Sequence, residues 1–304
     1  MRPDVITGLP VATGDEQLTL LTRNNAKDLV AAFKLDRLRW ARRPLELLCS
    51  LPARRFARQL VTFDRIVGDK GLPAAGGYII ERFARSFAVL GAEHVPAAGP
   101  LLVVSNHPGM ADAMGLWVGL ARDDLRIIAA ERPLLRALPN TCRHLIYVDD
   151  SSPRGRSGSL RAAAAHLRSG GALLTFPAGH IEPDPAVRPG AVDSLRSWSP
   201  SVALLARLAP ETLVLPAAVG GVISTTSMRN PAARVFPEQR DRDWAAATLQ
   251  VLVPAYRDVD TRVAFGPPMS ASELLALGEP AAISQAVTSG MVPLLEQVGS
   301  CASG

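Results

Sequence analysis

The chain has 304 residues, of which 48% are hydrophobic and 20% charged, a balance that supports a sizeable buried core and excludes wholesale disorder. Three scattered cysteines, Cys49, Cys142 and Cys301, exclude a disulfide framework or a zinc knuckle, and the 5% of aromatic residues argue against a module that stacks single-stranded nucleic acid. The formal net charge of +5 indicates an anionic partner: a membrane surface, a phosphate-bearing substrate or a nucleic acid.

The positive charge is concentrated in one segment. Residues 34–58 hold eight basic and two acidic residues, a net charge of +6, so the rest of the chain is close to neutral. The apolar spacing predicts helices from about residue 25 to residue 87, divided by Pro44 and Pro52. A basic helix with an apolar opposite face is typical of an interfacial membrane helix, and equally of a solvated face packed on a core. The candidate membrane-docking residues are Arg42, Arg43, Arg54 and Arg55.

No segment has the composition of a membrane span, which needs roughly 18 consecutive apolar residues. The longest apolar stretch, Thr212 to Ile223, is shorter and contains a proline and two glycines. The first residues also lack the apolar core of a signal peptide. We therefore expect a cytoplasmic protein with a helical N-terminal region (residues 1–85), followed by a second domain (residues 86–304).

From Val89 onward, predicted strands alternate with predicted helices. The strands are expected near residue 89 and at Leu101–Ser105, Arg126–Ala129, His144–Asp149, Ala172–Phe176, Leu213–Val219 and Thr261–Phe265. Helices are expected at Met110–Leu120, Ser159–Arg168 and 270–299, among others. This alternation predicts an α/β fold with a mixed, largely parallel sheet flanked by helices, behind the helical N-terminal region.

A histidine and an aspartate follow the buried strand that ends at Ser105. His107 lies at the carboxyl end of this strand, where α/β sheets place their ligand sites, and Pro108 is suited to start a helix. Asp112 can then turn back to the His107 ring, select one tautomer and leave the other nitrogen free to accept a proton. A single histidine at a strand end is more often structural than catalytic. The surrounding residues 106–112 favour a catalytic role for His107.

Three further blocks follow predicted strands. Asp149 and Asp150 begin a polar loop in which Arg154 and Arg156 could bind a phosphate group. Phe176-Pro177-Ala178-Gly179 forms an irregular turn that exposes backbone N–H groups. The last of these blocks, around Pro216, instead lies within a predicted strand, Leu213–Val219.

In this order the four blocks resemble those of the glycerolipid acyltransferase family, which includes 1-acyl-glycerol-3-phosphate and lysophospholipid acyltransferases. The resemblance spans about residues 88–275 and includes the His-x4-Asp motif at His107 and Asp112. It implies that His107 is the general base toward an acceptor hydroxyl and that Asp112 orients it. It also implies a set of substrate-binding residues: Asn106, Arg154, Arg156, Phe176, Pro177, Gly179 and Pro216.

The resemblance further implies the substrates and partners. The acyl donor is a thioester of coenzyme A or of acyl carrier protein, which acts as a co-substrate, and neither a cofactor nor a metal is expected. The acceptor is a lysolipid, and the expected location is the inner face of the cell membrane, with the basic segment on an anionic surface. Nucleic acid is not an expected partner, because no recognition motif accompanies the charge.

Two positions depart from the family pattern. Asp150 stands where an arginine is expected, and Ala178 stands where a glutamate is expected. Both positions are associated in the family with the acceptor, so the acceptor here is expected to differ from plain lysophosphatidic acid. Glu182 could replace the missing carboxylate, or it could be a solvated loop acid. The altered positions also leave open a non-catalytic lipid-binding protein. A metal-dependent hydrolase that uses His107, Asp112 and Asp149 is a third alternative.

Overall fold

The structure is a computed structural model that describes residues 14–35, 42–109, 111–148 and 153–300, without the side chains of Arg42, Pro153, Arg154 and Arg156. It opens with three helices: α1 (Gly14–Ala32), α2 (Arg42–Leu48) and α3 (Ser50–Phe83). The first helix begins at Gly14, about eleven residues before the predicted start of the helical region near residue 25. Helix α3 ends at Phe83, four residues before the predicted end at residue 87.

New helices start just before Pro44 and Pro52, the two prolines predicted to divide this region. Pro44 and Pro52 lie in the first turns of α2 and α3, where a missing N–H removes no helical hydrogen bond. The interruption of α3 is at Gly71, whose φ of 79° is left-handed, two residues before Pro73. Glycine adopts this conformation at low cost, which explains why the long helix bends there.

The strands form one sheet whose members lie close to the predicted positions. They are β1 (Ser86–Leu90), β2 (Leu101–Ser105), β3 (Arg126–Ala130), β4 (Leu145–Val148), β5 (Ala172–Thr175), β6 (Leu213–Gly220), β7 (Asp260–Phe265) and β8 (Met269–Ser270). The order across the sheet is β1-β7-β6-β2-β5-β3-β4, and β8 pairs with β6.

Parallel pairing dominates the sheet. Strand β2 is central and lies parallel to both neighbours, with Val103 opposite Leu174 of β5 and Leu215 of β6. Strand β7 is antiparallel to β6 and parallel to β1, and β8 is antiparallel to β6. The predicted mixed, largely parallel sheet is confirmed.

Helices cover both faces of this sheet, as predicted for an α/β fold. They are α4 (Asp112–Leu120), α5 (Pro133–Arg136), α6 (Pro139–Cys142), α7 (Pro153–Arg168), α8 (Ala191–Ser194), α9 (Ser201–Leu208), α10 (Thr225–Arg229), α11 (Pro231–Arg234), α12 (Gln239–Leu252), α13 (Ala271–Ala276) and α14 (Pro280–Gly299). Helices α10, α11 and α12, which connect β6 to β7, were not predicted from the sequence.

The two sides of β2 face different cores. Leu101 and Val103 belong to the larger core, which also contains residues of α1, α3 and α4. Leu102 and Val104 pack with residues of α7, α9, α13 and α14 on the opposite face. The expected boundary at residues 85/86 falls between α3 and β1, and the larger core is continuous across it.

The approach of α3 to α4 depends on Gly76. A Cβ atom there would lie 2.6 Å from the Met114 carbonyl oxygen, whereas a Cβ at the neighbouring Gly77 would have nothing within 4 Å. We expect Gly76→Ala to lower the free energy of unfolding by about 1–3 kcal/mol, because the helices must separate. Gly77→Ala is the matched control and should raise it by about 0.5–1 kcal/mol. Urea denaturation measures both, and equal effects would contradict the close packing.

Candidate active site

The candidate site lies at the edge of the sheet where β2, β5 and β6 end. His107 follows β2 by two residues, and Phe176 follows β5 directly. Because these strands are parallel neighbours, their carboxyl ends meet at one edge. The His107 and Phe176 rings stack with centroids 4.6 Å apart and an interplanar angle of 28°. The fold thus brings the first and third sequence blocks into direct contact.

Asp112 holds the His107 ring. Its Oδ2 atom lies 2.6 Å from Nδ1 of His107 and also accepts a hydrogen bond of 3.1 Å from the backbone N–H of Gly109. Its Oδ1 accepts from the N–H of Ala113 at 2.6 Å. Because a carboxylate only accepts, Nδ1 carries the proton and Nε2 is left with its lone pair.

The local chain turn differs slightly from the prediction. Helix α4 starts at Asp112 itself, whereas the sequence analysis expected it to start at residues 108–110. Residues 107–109 have no regular secondary structure, and Asp112 binds the N–H of Gly109 across them. The carboxylate therefore organises this turn as well as the histidine.

The pair is partly shielded from water. The Asp112 side chain is 1% exposed, whereas 29% of the His107 side chain is exposed. Burial lowers the pKa of His107, but the charge and hydrogen bond of Asp112, together with the charge of Glu182, outweigh burial and raise that pKa above its ordinary value. The imidazole is thus a stronger base than a free histidine, with one accessible nitrogen.

Residues 176–179 form the turn after β5. Pro177 is buried, and its carbonyl oxygen accepts a hydrogen bond from the N–H of Ser199. Gly179 is exposed with a φ of 68°, and its N–H donates to the carbonyl oxygen of Phe176. Its left-handed backbone closes the turn beside the histidine, where glycine is favoured.

Glu182 is neither a solvated acid nor free to bind a ligand. It is 1% exposed, and its Oε2 accepts a hydrogen bond of 2.9 Å from the backbone N–H of His107. Its Oε1 accepts from the Ser194 hydroxyl at 2.8 Å and from the Trp198 indole N–H at 2.9 Å. Ser194 and Trp198 were not predicted as partners of Glu182, because they lie 12 and 16 residues further along the chain.

Two residues that were predicted to bind substrate instead make contacts within the sheet. Both polar atoms of the Asn106 side-chain amide pair with the main chain of Val219, at 2.9 and 2.8 Å. Pro216 is buried in β6, where its ring lies close to Gly266 and Gly290. Gly290 is part of α14, so this ring is on the face of the sheet that α14 covers. These contacts hold β2, β6 and α14 together beneath the site.

Asp184 is a second buried carboxylate of the same loop that the sequence analysis did not single out. It is fully buried and accepts hydrogen bonds from the backbone N–H groups of Gly221, Val222, Ile223 and Ala186. Burial raises the pKa of Asp184, and these four hydrogen bonds oppose that effect. The loop after β5 is therefore tied to the loop after β6 as well as to His107.

The remaining predicted residues either lie outside the described part of the structure or are exposed on its surface. Asp149 and Asp150 and the side chains of Arg42, Arg154 and Arg156 lie outside the described part of the structure, so their roles stay predictions. Arg43, Arg54 and Arg55 are exposed on α2 and α3. In the described ranges, no group of three or more His, Cys, Asp or Glu side chains is arranged to hold a metal ion.

Comparison with known proteins finds a matching family model and similar solved structures. One of these structures is the 1-acyl-sn-glycerophosphate (LPA) acyltransferase PlsC from Thermotoga maritima, with 18% identity and a TM-score of 0.45 over 82% of this chain and 84% of that one. No curated protein matches. Residues 86–220 match the family model described as Acyltransferase, and this range contains His107, Asp112, Phe176 and Glu182. Residues 86–220 of this chain are therefore similar to the acyltransferase family.

Proposed function

We propose that this protein is a membrane-associated O-acyltransferase that moves a fatty acyl group from a thioester to a hydroxyl of a lysolipid. The observation that carries the proposal is the 2.6 Å contact between Nδ1 of His107 and the buried carboxylate of Asp112. It leaves the partly exposed Nε2 as a base at the end of the central strand. The family match adds acyl transfer as the reaction class.

The proposed reaction uses His107 twice. Its Nε2 accepts the proton of the acceptor hydroxyl while the hydroxyl oxygen attacks the thioester carbonyl carbon. The C–O bond forms, the C–S bond breaks, and the leaving thiolate takes the proton from Nε2. Asp112 stabilises the imidazolium between these steps. The donor is a thioester of coenzyme A or acyl carrier protein, and no covalent acyl-enzyme is required.

The acceptor is proposed to differ from lysophosphatidic acid. Where the resemblance leads one to expect a glutamate, Ala178 presents a methyl group, and the carboxylate of Glu182 is fully engaged elsewhere. No acidic side chain therefore takes the place of that glutamate in the turn at residues 176–179. A lysophospholipid, an amino-lipid or a glycolipid with another head group would fit this change.

A screen of donors against acceptors tests the proposal. Acyl-coenzyme A and acyl carrier protein thioesters are incubated with a panel of lysolipids, and released thiol and acylated lipid are measured together by mass spectrometry. The expected result is equal amounts of thiol and acylated lipid. Thiol release without acylated lipid would indicate a hydrolase, and no thiol release with any donor would favour the non-catalytic lipid-binding alternative.

The proposed membrane contact rests on α2 and the start of α3. Leu47, Leu48 and Leu51 are each 75% exposed, close in sequence to the exposed Arg43 and to Arg54 and Arg55. Exposed leucines beside arginines suit insertion into an anionic leaflet, since the leucines leave water while the guanidinium groups meet lipid phosphates. Within the described ranges, no helix is long and apolar enough to cross a bilayer.

We expect Leu47→Ser, Leu48→Ser and Leu51→Ser together to weaken binding to anionic vesicles by about 10-fold or more, because each buried leucine contributes about 1.5–3 kcal/mol. Cosedimentation with phosphatidylglycerol vesicles measures this, and added salt should weaken binding of the wild type. Leu277→Ser is the control: Leu277 is 49% exposed but follows α13 on the opposite face of the sheet. If neither added salt nor the triple substitution weakens vesicle binding, this surface is an ordinary solvated face and does not dock to the membrane.

A further inference from the structure

Residue 182 holds both main-chain polar groups of His107. The N–H of Glu182 donates to the carbonyl oxygen of His107 at 2.8 Å, and its Oε2 accepts from the N–H of His107 at 2.9 Å. The reciprocal pair joins positions 75 residues apart in sequence. It ties the loop after β5 to the loop that carries the proposed base.

The three side-chain hydrogen bonds of Glu182 require a carboxylate. The His107 N–H and the Trp198 indole N–H can only donate, and they approach different oxygens of the same group. The Ser194 hydroxyl joins Trp198 on Oε1 and also lies 2.7 Å from the Ala191 carbonyl oxygen. A glutamine could accept from His107 or from Trp198, but its NH₂ group would face the other donor.

We propose that Glu182 is a positioning residue that fixes the main chain of His107 so that the ring held by Asp112 meets the acceptor hydroxyl in one orientation. The inference deepens the proposed function and rests on His107 being the base. Asp112 holds the ring and Glu182 holds the backbone, so the imidazole is constrained at both ends. A displacement of about 1 Å at a reacting group can cost about 10²-fold in rate, which makes this constraint catalytic in effect.

This role excludes direct acceptor binding by Glu182. Its side chain is 1% exposed and both carboxylate oxygens are occupied by protein donors. The two roles differ kinetically: a positioning residue changes kcat for every acceptor alike, whereas an acceptor-binding residue changes KM and does so differently for different head groups.

The first test is Glu182→Gln, assayed with the acyl-coenzyme A and the lysolipid that the wild type uses best. We expect kcat to fall about 10–100-fold and both KM values to stay within about 3-fold, with the same loss for a second acceptor. Far-ultraviolet circular dichroism confirms folding. An unchanged kcat, or a rise in acceptor KM without a fall in kcat, would overturn the inference.

The second test is a rescue that a merely structural role would not produce. In Trp198→Phe the indole donor is absent, so in the double variant with Glu182→Gln the amide oxygen at position 182 can accept from His107. The amide NH₂ then donates to the Ser194 hydroxyl, which turns its own proton to Ala191. We expect Trp198→Phe alone to change kcat less than about 5-fold and the double variant to be faster than Glu182→Gln. A double variant slower than Glu182→Gln would contradict the donor conflict.

A third measurement separates this inference from the proposed function. The titration of the His107 ring is followed by proton NMR without substrates, with its signals assigned by comparison with His107→Ala. Glu182→Gln removes one of the two carboxylates that raise the pKa of His107, so that pKa should fall. An unchanged titration with an unchanged ring environment would overturn the positioning role even if no acceptor is found. Absence of transfer by the wild type would overturn only the proposed function.

Discussion

Replacing His107 with alanine is expected to lower acyl transfer by about 10²–10⁴-fold, the usual contribution of a positioned general base. The residue is the one whose ring stacks on Phe176 and whose Nδ1 is bound by Asp112. Without the imidazole, the acceptor hydroxyl must lose its proton to water during the attack. The measurement is the initial rate of thiol release in the presence of the acceptor, at saturating donor.

The matched control for that variant is His144→Ala. His144 is also partly buried, but it precedes β4 at the amino-terminal edge of the parallel strands, and its Nδ1 pairs with the Leu125 carbonyl oxygen. We expect this variant to keep most of the wild-type rate. If His107→Ala keeps a comparable rate, the assignment of His107 as the base is wrong.

Replacing Asp112 with asparagine is expected to have the next largest effect, up to the order of 10⁴-fold on kcat. An amide N–H facing Nδ1 would move the ring proton to Nε2, so the accessible nitrogen would no longer accept a proton. Asparagine fills nearly the same volume and can still accept from Gly109 or Ala113, so folding should be largely preserved. Asp112→Asn therefore tests the tautomer rather than the packing.

The pH dependence supplies a signed test of the same pair. Burial lowers the pKa of His107, and Asp112 and Glu182 raise it by more, so activity of the wild type should fall as pH drops through a value above 6.5. In Asp112→Asn the largest of the raising causes is lost, so the remaining activity should fall only at a lower pH. A profile of kcat/KM between about pH 5 and 9 measures both. A shift toward higher pH would contradict the proposed electrostatics.

The relation between sequence and structure is clearest at these residues. Local pattern was sufficient to predict the strand that ends at Ser105 and the closeness of Asp112 to His107, because a buried apolar run, a Pro-Gly turn and a spacing of five residues act over short distances. The stacking of Phe176 on His107 followed from the parallel order of β2 and β5. In each case the cause is short-range or follows from the α/β pattern.

The interpretation of Glu182, Asn106 and Pro216 needed the folded chain. Sequence alone marked all three as substrate-binding, but their partners are His107, Val219 and α14. Each of these contacts joins residues that are far apart in sequence, and a short sequence motif does not predict such contacts. For the same reason the helices between β6 and β7 were not predicted, although one of them, α12, packs against α1 and α3.

The basic segment also separates what the sequence determines from what the tertiary structure determines. Sequence alone determined that the excess of positive charge lies in residues 34–58, because charge is a property of composition. Only the tertiary structure decided that Leu47, Leu48 and Leu51 are left uncovered beside Arg43, Arg54 and Arg55, while Ala53 and Ala57 of the same segment are buried. Whether an apolar side chain reaches the core or the solvent depends on which helices pack against it, and that is decided by contacts between distant parts of the chain.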